Sequence, residues 1–398
     1  MPNEILTHQM IAREAVKMFK EDTFIKTINT GRSEEFKDQP NGYKKGDKVD
    51  IGVPPTPAVF DGANFAGGGN APDMNETKVS LQLNKQKHVP ITFTAKEKLL
   101  SLSDFKERFL APSMQALASK VQADLLLDMK NSTPNVVGTW GSVPNSRLTY
   151  GQARASLQRF LAPADRRCVQ FSSDANLNLS EANATLFNAS REIDDIYRDG
   201  AVGDYASFSF FENQSLPVHA NGAGAGYVVN GANQTGSGLI VGTGTGAITR
   251  GTVFTIANVF ATQPITGENT GELRRFVVTA DHAGGAGTLQ IYPALIPTTA
   301  TRVGTVTASP ANSAAVTIFG TANQARRQNL AYQKNAFTAA FAPLPVLASC
   351  EGYTASIQGI SVRVMTFGDG KTDMEHTRID VLYGNAATRP DHMVRITE

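Results

Sequence analysis

The sequence predicts an α+β fold that is interrupted by a long all-β insertion. Apolar residues recur at helical spacing near the N-terminus and again between residues 103 and 130, and short segments elsewhere alternate between apolar and polar residues. The composition changes abruptly at residue 221: residues 221–320 hold 17 of the 35 glycines and only seven charged residues. Because a single core rarely grows beyond about 250 to 300 residues, we expect more than one domain.

The first element is an amphipathic helix over residues 4–24. Its surroundings in the sequence are polar, so its apolar face has no evident partner in its own chain. We therefore expect this face to dock on a neighbouring molecule, with Ile5, Ile11 and Met18 as interface residues. The apolar residues at three- and four-residue spacing are Ile5, Ile11, Ala15, Met18 and Phe19.

Two strands around a long tip follow the helix. Residues 48–53 alternate like a strand and end at Pro54, and residues 78–84 resume the alternation after a stretch rich in Gly, Ala and Asn. This pattern predicts a protruding hairpin. Extended hairpins often order only against a neighbour, so we expect interface contacts at Val53, Phe60 and Phe65.

Helices are predicted after the hairpin. Thr94 and Glu97 fit a capping box, which predicts a short helix from Ala95. A longer helix is predicted over residues 103–130, about 40 Å at 1.5 Å per residue. Pro112 lies inside it, so either the helix kinks there or a second helix begins with Pro112 in its first turn. Its apolar stripe is Phe105, Phe109, Leu117, Val121, Leu125 and Met129.

Residues 147–219 predict a mixed layer, with a helix over 150–160, a strand over 167–171 and a helix over 180–188. The insertion, residues 221–330, predicts a small β-barrel or sandwich, because its short strands are separated by Gly- or Pro-bearing turns. The predicted strands are 252–256, 273–278, 288–292 and 315–319. Mixed composition returns after it, and residues 377–383 form a last apolar strand. We expect the flanks to rejoin as one domain around the insertion.

Composition excludes several classes of protein. The chain has 37 Lys and Arg against 36 Asp and Glu, so no global field commits it to nucleic acid or to a membrane. Two isolated cysteines form neither a disulfide framework nor a zinc motif. No apolar run is long enough to span a bilayer, and the N-terminus lacks a signal-peptide pattern.

Motifs that would indicate catalysis are missing from the sequence. The run Gly242–Gly246 precedes a β segment instead of a helix, which favours a turn over a phosphate-binding loop. The nearest cluster of reactive groups is Asp373, Glu375 and His376, which could form an acid–base or metal site. Their glycine-rich surroundings favour a solvated loop, so we expect no enzyme, cofactor or metal site and keep a hydrolase as the alternative.

Four segments carry recognisable motifs. They are Ser172-Ser-Asp-Ala-Asn-Leu-Asn-Leu-Ser180, Ile196-Tyr-Arg-Asp-Gly200, Phe208-Ser-Phe-Phe-Glu-Asn213 with Leu216-Pro217, and Leu382-Tyr-Gly-Asn-Ala-Ala-Thr-Arg-Pro390. In order and spacing they resemble the major capsid (coat) proteins of tailed bacteriophages, of the P22 coat protein type. The resemblance covers most of the chain and includes the position of an inserted β domain.

The resemblance implies the HK97 capsid fold, which is α+β. Its parts are an N-terminal arm, an extended hairpin loop, a peripheral domain with a long spine helix, and an axial domain, here with an inserted all-β domain. The implied divisions are 1–44 (arm), 45–93 (hairpin loop), 94–146 (peripheral domain with spine helix), 147–220 and 331–376 (axial domain), 221–330 (insertion) and 377–398 (return strand to the peripheral domain).

The resemblance also implies a function. It predicts self-assembly through hexamers and pentamers into an icosahedral shell around double-stranded DNA, which is contacted non-specifically. Implied partners are a scaffolding protein, a portal protein and a decoration protein, with synthesis in the host bacterial cytoplasm and a final location in the virion. The alternative is a secreted or tail-associated β-rich adhesin, which the glycine- and threonine-rich insertion suggests.

Overall fold

The structure, a computed structural model, describes eight stretches of the chain. They are residues 8–20, 23–36, 48–53, 77–94, 110–184, 204–299, 303–369 and 374–398. No helix in these stretches is long and apolar enough to cross a membrane. The chain divides into two compact units: Met1–Ile51, Lys78–Leu125 and Phe337–Thr388 form the first, and Gly52–Thr77, Leu126–Ala336 and Arg389–Glu398 form the second.

The described helices are few. The α-helices are α1 (His8–Lys20), α2 (Thr23–Thr27), α3 (Ala111–Ser132), α4 (Arg147–Arg159) and α5 (Ser173–Ala184). Short 3-10 helices occupy Gly31–Phe36, Lys334–Ala336 and Pro390–His392.

Strands make up most of the remaining regular structure. They are β1 (Lys48–Val53), β2 (Thr77–Gln82), β3 (Lys85–Thr94), β4 (Asn135–Val137), β5 (Arg167–Phe171), β6 (Asp204–Tyr205), β7 (Phe208–Glu212), β8 (Val218–Ala220), β9 (Val228–Val229), β10 (Gly236–Gly242), β11 (Val253–Thr262), β12 (Asn269–Val278), β13 (Gly287–Leu295), β14 (Val316–Ile318), β15 (Ala325–Gln333), β16 (Phe337–Ala342), β17 (Glu351–Ile357), β18 (Ile360–Asp369), β19 (Met374–Ala387) and β20 (Met393–Thr397).

The first unit is built on a five-stranded antiparallel sheet. Its order is β16-β19-β18-β17, and β3 pairs with β19 over the whole of its length. Strands β1 and β2 form a separate two-stranded ribbon, as the hairpin prediction requires. Helix α1 packs on β17 and β18.

The long helix has the predicted apolar stripe. Leu117, Val121, Leu125 and Met129 are all buried on α3. Pro112 is the second residue of α3 as described. The predicted stretch 95–109 lies outside the described residues.

The second unit contains a seven-stranded mixed sheet in the order β4-β20-β15-β5-β7-β6, with β8 paired to β15. Tyr150, Ala153 and Leu157 of α4 share a buried apolar cluster with the sheet. The helix predicted over 180–188 instead begins at Ser173, because the hydroxyl of Ser172 accepts the backbone N–H of Ala175 at 3.1 Å and caps the start. Residues 185–188 lie outside the described part.

The insertion forms a closed barrel in the second unit. Its strand order is β14-β11-β12-β13-β10-β9. The ring closes because Val229 donates its N–H to Ala314 and Val316 donates its own to Tyr227, both at 2.9 Å. Four of these strands match predicted ones, whereas the sequence prediction missed β9 and β10. Of the two architectures that the sequence allowed, the structure forms the barrel.

The flanks of the insertion divide between the two units. The end of β15 pairs with β5, so Leu330–Gln333 rejoin the sheet that precedes the insertion. Phe337–Thr388 belong to the first unit, and the implied division of 331–376 to the axial domain and 377–398 to the peripheral domain stays a prediction. The segment 377–398 is likewise shared, with β19 in the first unit and β20 in the second.

Candidate functional site

The three interface candidates that the structure describes, Ile11, Met18 and Val53, are all partly buried. Ile11 and Met18 are partly buried on α1, seven residues apart and therefore on one side of the helix. Val53 is the last residue of β1 and is also partly buried. Ile5, Phe60 and Phe65 lie outside the described residues. The role of these six residues in subunit contacts stays a prediction.

Helix α1 has a partner within its own chain, which corrects the premise of the sequence interpretation. Ala12, Ala15, Val16 and Phe19 are fully buried. The ring of Phe19 meets the ring of Phe341 edge-on, with centroids 5.8 Å apart. The sequence missed this contact because more than 300 residues separate the two rings. Ile11 and Met18 border this buried stripe.

The root of the hairpin is fixed to the first unit's sheet. Ile51 of β1 and Leu81 of β2 are buried in one cluster with Ala340 and Ala386. Their packing holds the ribbon where it leaves the sheet. The tip of the hairpin, residues 54–76, lies outside the described part.

Gly384 permits a close backbone crossing beside this root. A Cβ atom at Gly384 would lie 2.0 Å from the carbonyl oxygen of Gln82 and 3.1 Å from the Cα of Leu83. Only glycine therefore fits where β19 passes the link between β2 and β3. This residue was missed as a structural determinant, although a glycine inside a predicted strand is a signal for such an approach.

A carboxylate on α3 holds the strand that follows the hairpin. Asp124 is 3.0 Å from the ammonium of Lys87 on β3 and accepts the hydroxyl of Tyr383 on β19, also at 3.0 Å. Burial raises the pKa of Asp124, but the hydrogen bonds from Lys87 and Tyr383 outweigh it, so its pKa lies below the ordinary value. The long helix is thus tied to both strands by charge-assisted hydrogen bonds.

Paired charges attach the barrel within the second unit. Arg274 of β12 is 3% exposed, lies 2.5 Å from Asp391 and stacks over the ring of Phe160 at 4.5 Å. A second, more exposed pair joins Arg159 of α4 to Glu272 at 2.5 Å. These contacts fix one barrel strand to the α+β layer.

The two described residues of the hydrolase alternative, Glu375 and His376, do not converge on one site. Glu375 and His376 are consecutive residues of β19, so their side chains point to opposite faces of the sheet. His376 lies 3.1 Å from the hydroxyl of Thr92, and its ring is 5.4 Å from that of Phe367. Asp373 lies outside the described residues. Among those that are described, no three His, Cys, Asp or Glu side chains could share a metal ion.

Solved structures resemble this fold over nearly its whole length. One from Mycobacterium phage Che8 has a TM-score of 0.51 and 12% identity, and the match covers 94% of this chain and 90% of that one. A capsid structure of the cyanophage P-SCSP1u has a TM-score of 0.45 and 11% identity, covering 88% and 83%. The predicted fold class, α+β of the HK97 type, is confirmed.

Sequence comparison gives the family. A major capsid protein of Acyrthosiphon pisum secondary endosymbiont phage 1 is 37% identical over 79 residues, which are 20% of this chain and 18% of that protein. The alignment thus spans less than a fifth of that relative's length. A family profile described as "P22 coat protein - gene protein 5" matches residues 37–397. The chain therefore belongs to the P22 coat protein family.

Proposed function

We propose that this chain is the major capsid protein of a tailed phage and that copies of it build the shell. The observation that carries the proposal is the family match over residues 37–397, which spans both units and the insertion. The fold likeness to the phage Che8 structure supports it. A secreted adhesin is less well supported, because the match includes the regions on both sides of the barrel.

The rooted hairpin and the bordering residues of α1 suit such a subunit. The base of the hairpin is buried in its own unit through Ile51 and Leu81. Ile11 and Met18 are only partly buried on α1, a helix that is already packed in its own unit, so part of their apolar surface stays accessible. A subunit with these features could offer modest contacts to several neighbours, which suits a closed symmetric array.

The finer assignments follow from this role. The copies would form hexamers and pentamers in an icosahedral shell, with a scaffolding protein during assembly and a portal protein at one vertex. Packaged double-stranded DNA would be contacted non-specifically, since the net charge is only +1. The protein would act without catalysis or cofactors, be made in the host bacterial cytoplasm, and end in the virion, where a decoration protein could bind.

Electron microscopy of the expressed chain tests the proposal. The chain is purified alone and after co-expression with the phage's scaffolding protein, and both samples are sedimented and imaged. Closed shells in either sample are the expected result. The proposal would be overturned if the protein stayed monomeric in both samples or formed only rods.

A further inference from the structure

Lys130 is a buried lysine at the point where the insertion joins the rest of the second unit. It lies in the last turn of α3 and is 3% exposed. Its Nζ atom is 3.2 Å from Nδ1 of His219 on β8, the strand that leads into the insertion. Within the described part of the chain, no carboxylate forms an ion pair with Lys130.

Other charged groups around Lys130 do not offset its charge. Arg395 of β20 is fully buried and donates to the carbonyl oxygens of Gly251 and Thr133, each at 2.7 Å. Its Nε atom has no hydrogen-bond partner among the described residues. Arg250 is also near, and its guanidinium lies 3.9 Å from Asp128. Asp128 is therefore the ion-pair partner of Arg250.

A chain of polar contacts leads from Lys130 into the barrel. The second ring nitrogen of His219 lies 3.4 Å from the hydroxyl of Thr252, which is 3.1 Å from that of Thr249. Gly251 donates its N–H to Val278 of β12 at 2.7 Å. Residues 249–252 thus connect the buried cations to the start of β11.

Lys130 is the member of this group that titrates near neutral pH. Burial, with the charges of Arg395 and Arg250, lowers the pKa of Lys130 to about 7. Burial and the charge of Lys130 hold the pKa of His219 far below its ordinary value, so its ring stays neutral. Burial lowers the pKa of Arg395 to about 9, which leaves it charged at neutral pH.

We propose that this junction is a proton-sensitive latch, in which neutral Lys130 keeps residues 249–252 docked and protonation of Lys130 loosens them. The added charge would lie beside the fixed charge of Arg395 without an ion-pairing carboxylate to offset it. The proposal goes beyond shell building and does not depend on it.

The sign of the effect follows from proton linkage. In the opened junction Lys130 regains its ordinary pKa of 10.5, so opening takes up a proton between pH 10.5 and about 7. Opening therefore becomes easier as the pH falls through this window and levels off below pH 7. Between pH 8.5 and pH 6 we expect the opening constant to rise about tenfold or more.

Hydrogen exchange of the full-length chain tests the latch. Protection factors for peptides that contain residues 249–252 are measured between pH 5.5 and 9, after correction for intrinsic exchange. The expected result is a fall of at least about tenfold toward acid pH in the wild-type chain and a flat profile in Lys130→Met. Lys120→Met is the control, because Lys120 lies on the same helix with its side chain 63% exposed and should keep the wild-type profile.

Two outcomes would overturn the proposal. One is a wild-type profile without a transition near pH 7. The other is an unchanged transition in a folded Lys130→Met protein. Should that variant not fold, the wild-type profile alone decides, since a latch set by Lys130 requires its midpoint near the lowered pKa.

Discussion

The carboxylate of Asp380 is fully buried and lies against the guanidinium of Arg363. Nε and Nη2 of Arg363 are 3.1 and 2.5 Å from one carboxylate oxygen, and Arg378 donates to the other at 2.6 Å. Arg363 also donates to the carbonyl oxygen of Pro345 at 2.6 Å. Arg363 and Asp380 are direct partners in the pairing of β18 with β19, so the ion pair joins two neighbouring strands of the first unit.

Asp380→Ala is expected to destabilise the first unit strongly. It would leave the buried charge of Arg363 unpaired, which typically costs about 3–5 kcal/mol. Urea unfolding followed by circular dichroism measures the change. Arg378→Ala is the comparison variant, because its side chain is 34% exposed and Arg363 still pairs with Asp380, so its loss should cost clearly less than Asp380→Ala. Similar losses in the two variants would contradict the assignment.

Gly384→Ala is expected to disturb the root of the hairpin. The new methyl group would overlap the backbone of Gln82, and overpacking of this kind costs about 1–3 kcal/mol. Gly368→Ala is the control in the same sheet, since a methyl group added there would meet no other atom of the described residues within 4 Å. Thermal unfolding of both variants checks the prediction, and equal midpoints would rule out the close crossing.

Local patterns in the sequence predicted the helices and strands of this fold better than they predicted which of these elements pack or pair with each other. The apolar stripe from Leu117 to Met129 indicated a buried helix face, because the three- and four-residue spacing of apolar side chains can be recognised within a short stretch of sequence. The alternation in β1 and β2 predicted their hairpin for the same reason. Strand β3, however, pairs with β19 almost 300 residues later, and no short-range pattern specifies such a pairing.

Prediction of the functional residues was limited in the same way, because their contacts are distant in the sequence. Sequence resemblance gave the family and the inserted domain, but it assigned no role to Gly384, Asp380 or Lys130. Each of these residues acquires its role from a distant contact: Gly384 with Gln82, Asp380 with the guanidinium of Arg363, and Lys130 with His219. The unpartnered face inferred for α1 was wrong because its partner, Phe341, is equally distant.

Asp391→Ala is expected to weaken the attachment of β12. Arg274 would lose a charge-assisted hydrogen bond while staying buried over Phe160, at a cost of about 2–3 kcal/mol. Faster hydrogen exchange in residues 269–278 is the measured consequence. Glu272→Ala, which removes the more exposed partner of Arg159, should change exchange there little. The reverse order of effects would count against this anchor.

Tyr383→Phe is expected to alter acid stability. The wild-type Asp124 has a lowered pKa in the folded state, so its stabilising contribution is present above the unfolded value of 3.8 and is lost as the pH falls through the lowered pKa. Removing the Tyr383 hydroxyl should cost about 1–2 kcal/mol at pH 7 and less at an acid pH below the lowered pKa, where Asp124 is protonated. Unfolding free energies measured at the two pH values test this, and an equal cost at both would contradict it.

Substitutions beside the buried stripe of α1 distinguish an effect on subunit stability from an effect on shell assembly. Ile11→Ser with Met18→Ser removes partly buried apolar surface but leaves Ala12, Val16 and Phe19 in place, so the loss of subunit stability should stay near 1–2 kcal/mol. If these residues contact a neighbouring subunit, the same loss of contact free energy recurs at every copy in a shell. The yield of closed shells should then fall at least about tenfold for each 1.4 kcal/mol lost per contact.

Sedimentation of the assembled protein measures that yield, with monomer stability measured in parallel. Arg13→Ser, an exposed change on the same helix, is the control and should assemble like the wild type. Val16→Ser provides the opposite contrast, because it places a hydroxyl in the fully buried stripe and should lower subunit stability before assembly is reached. Normal shell yield from a stable double variant would remove Ile11 and Met18 from the subunit interface.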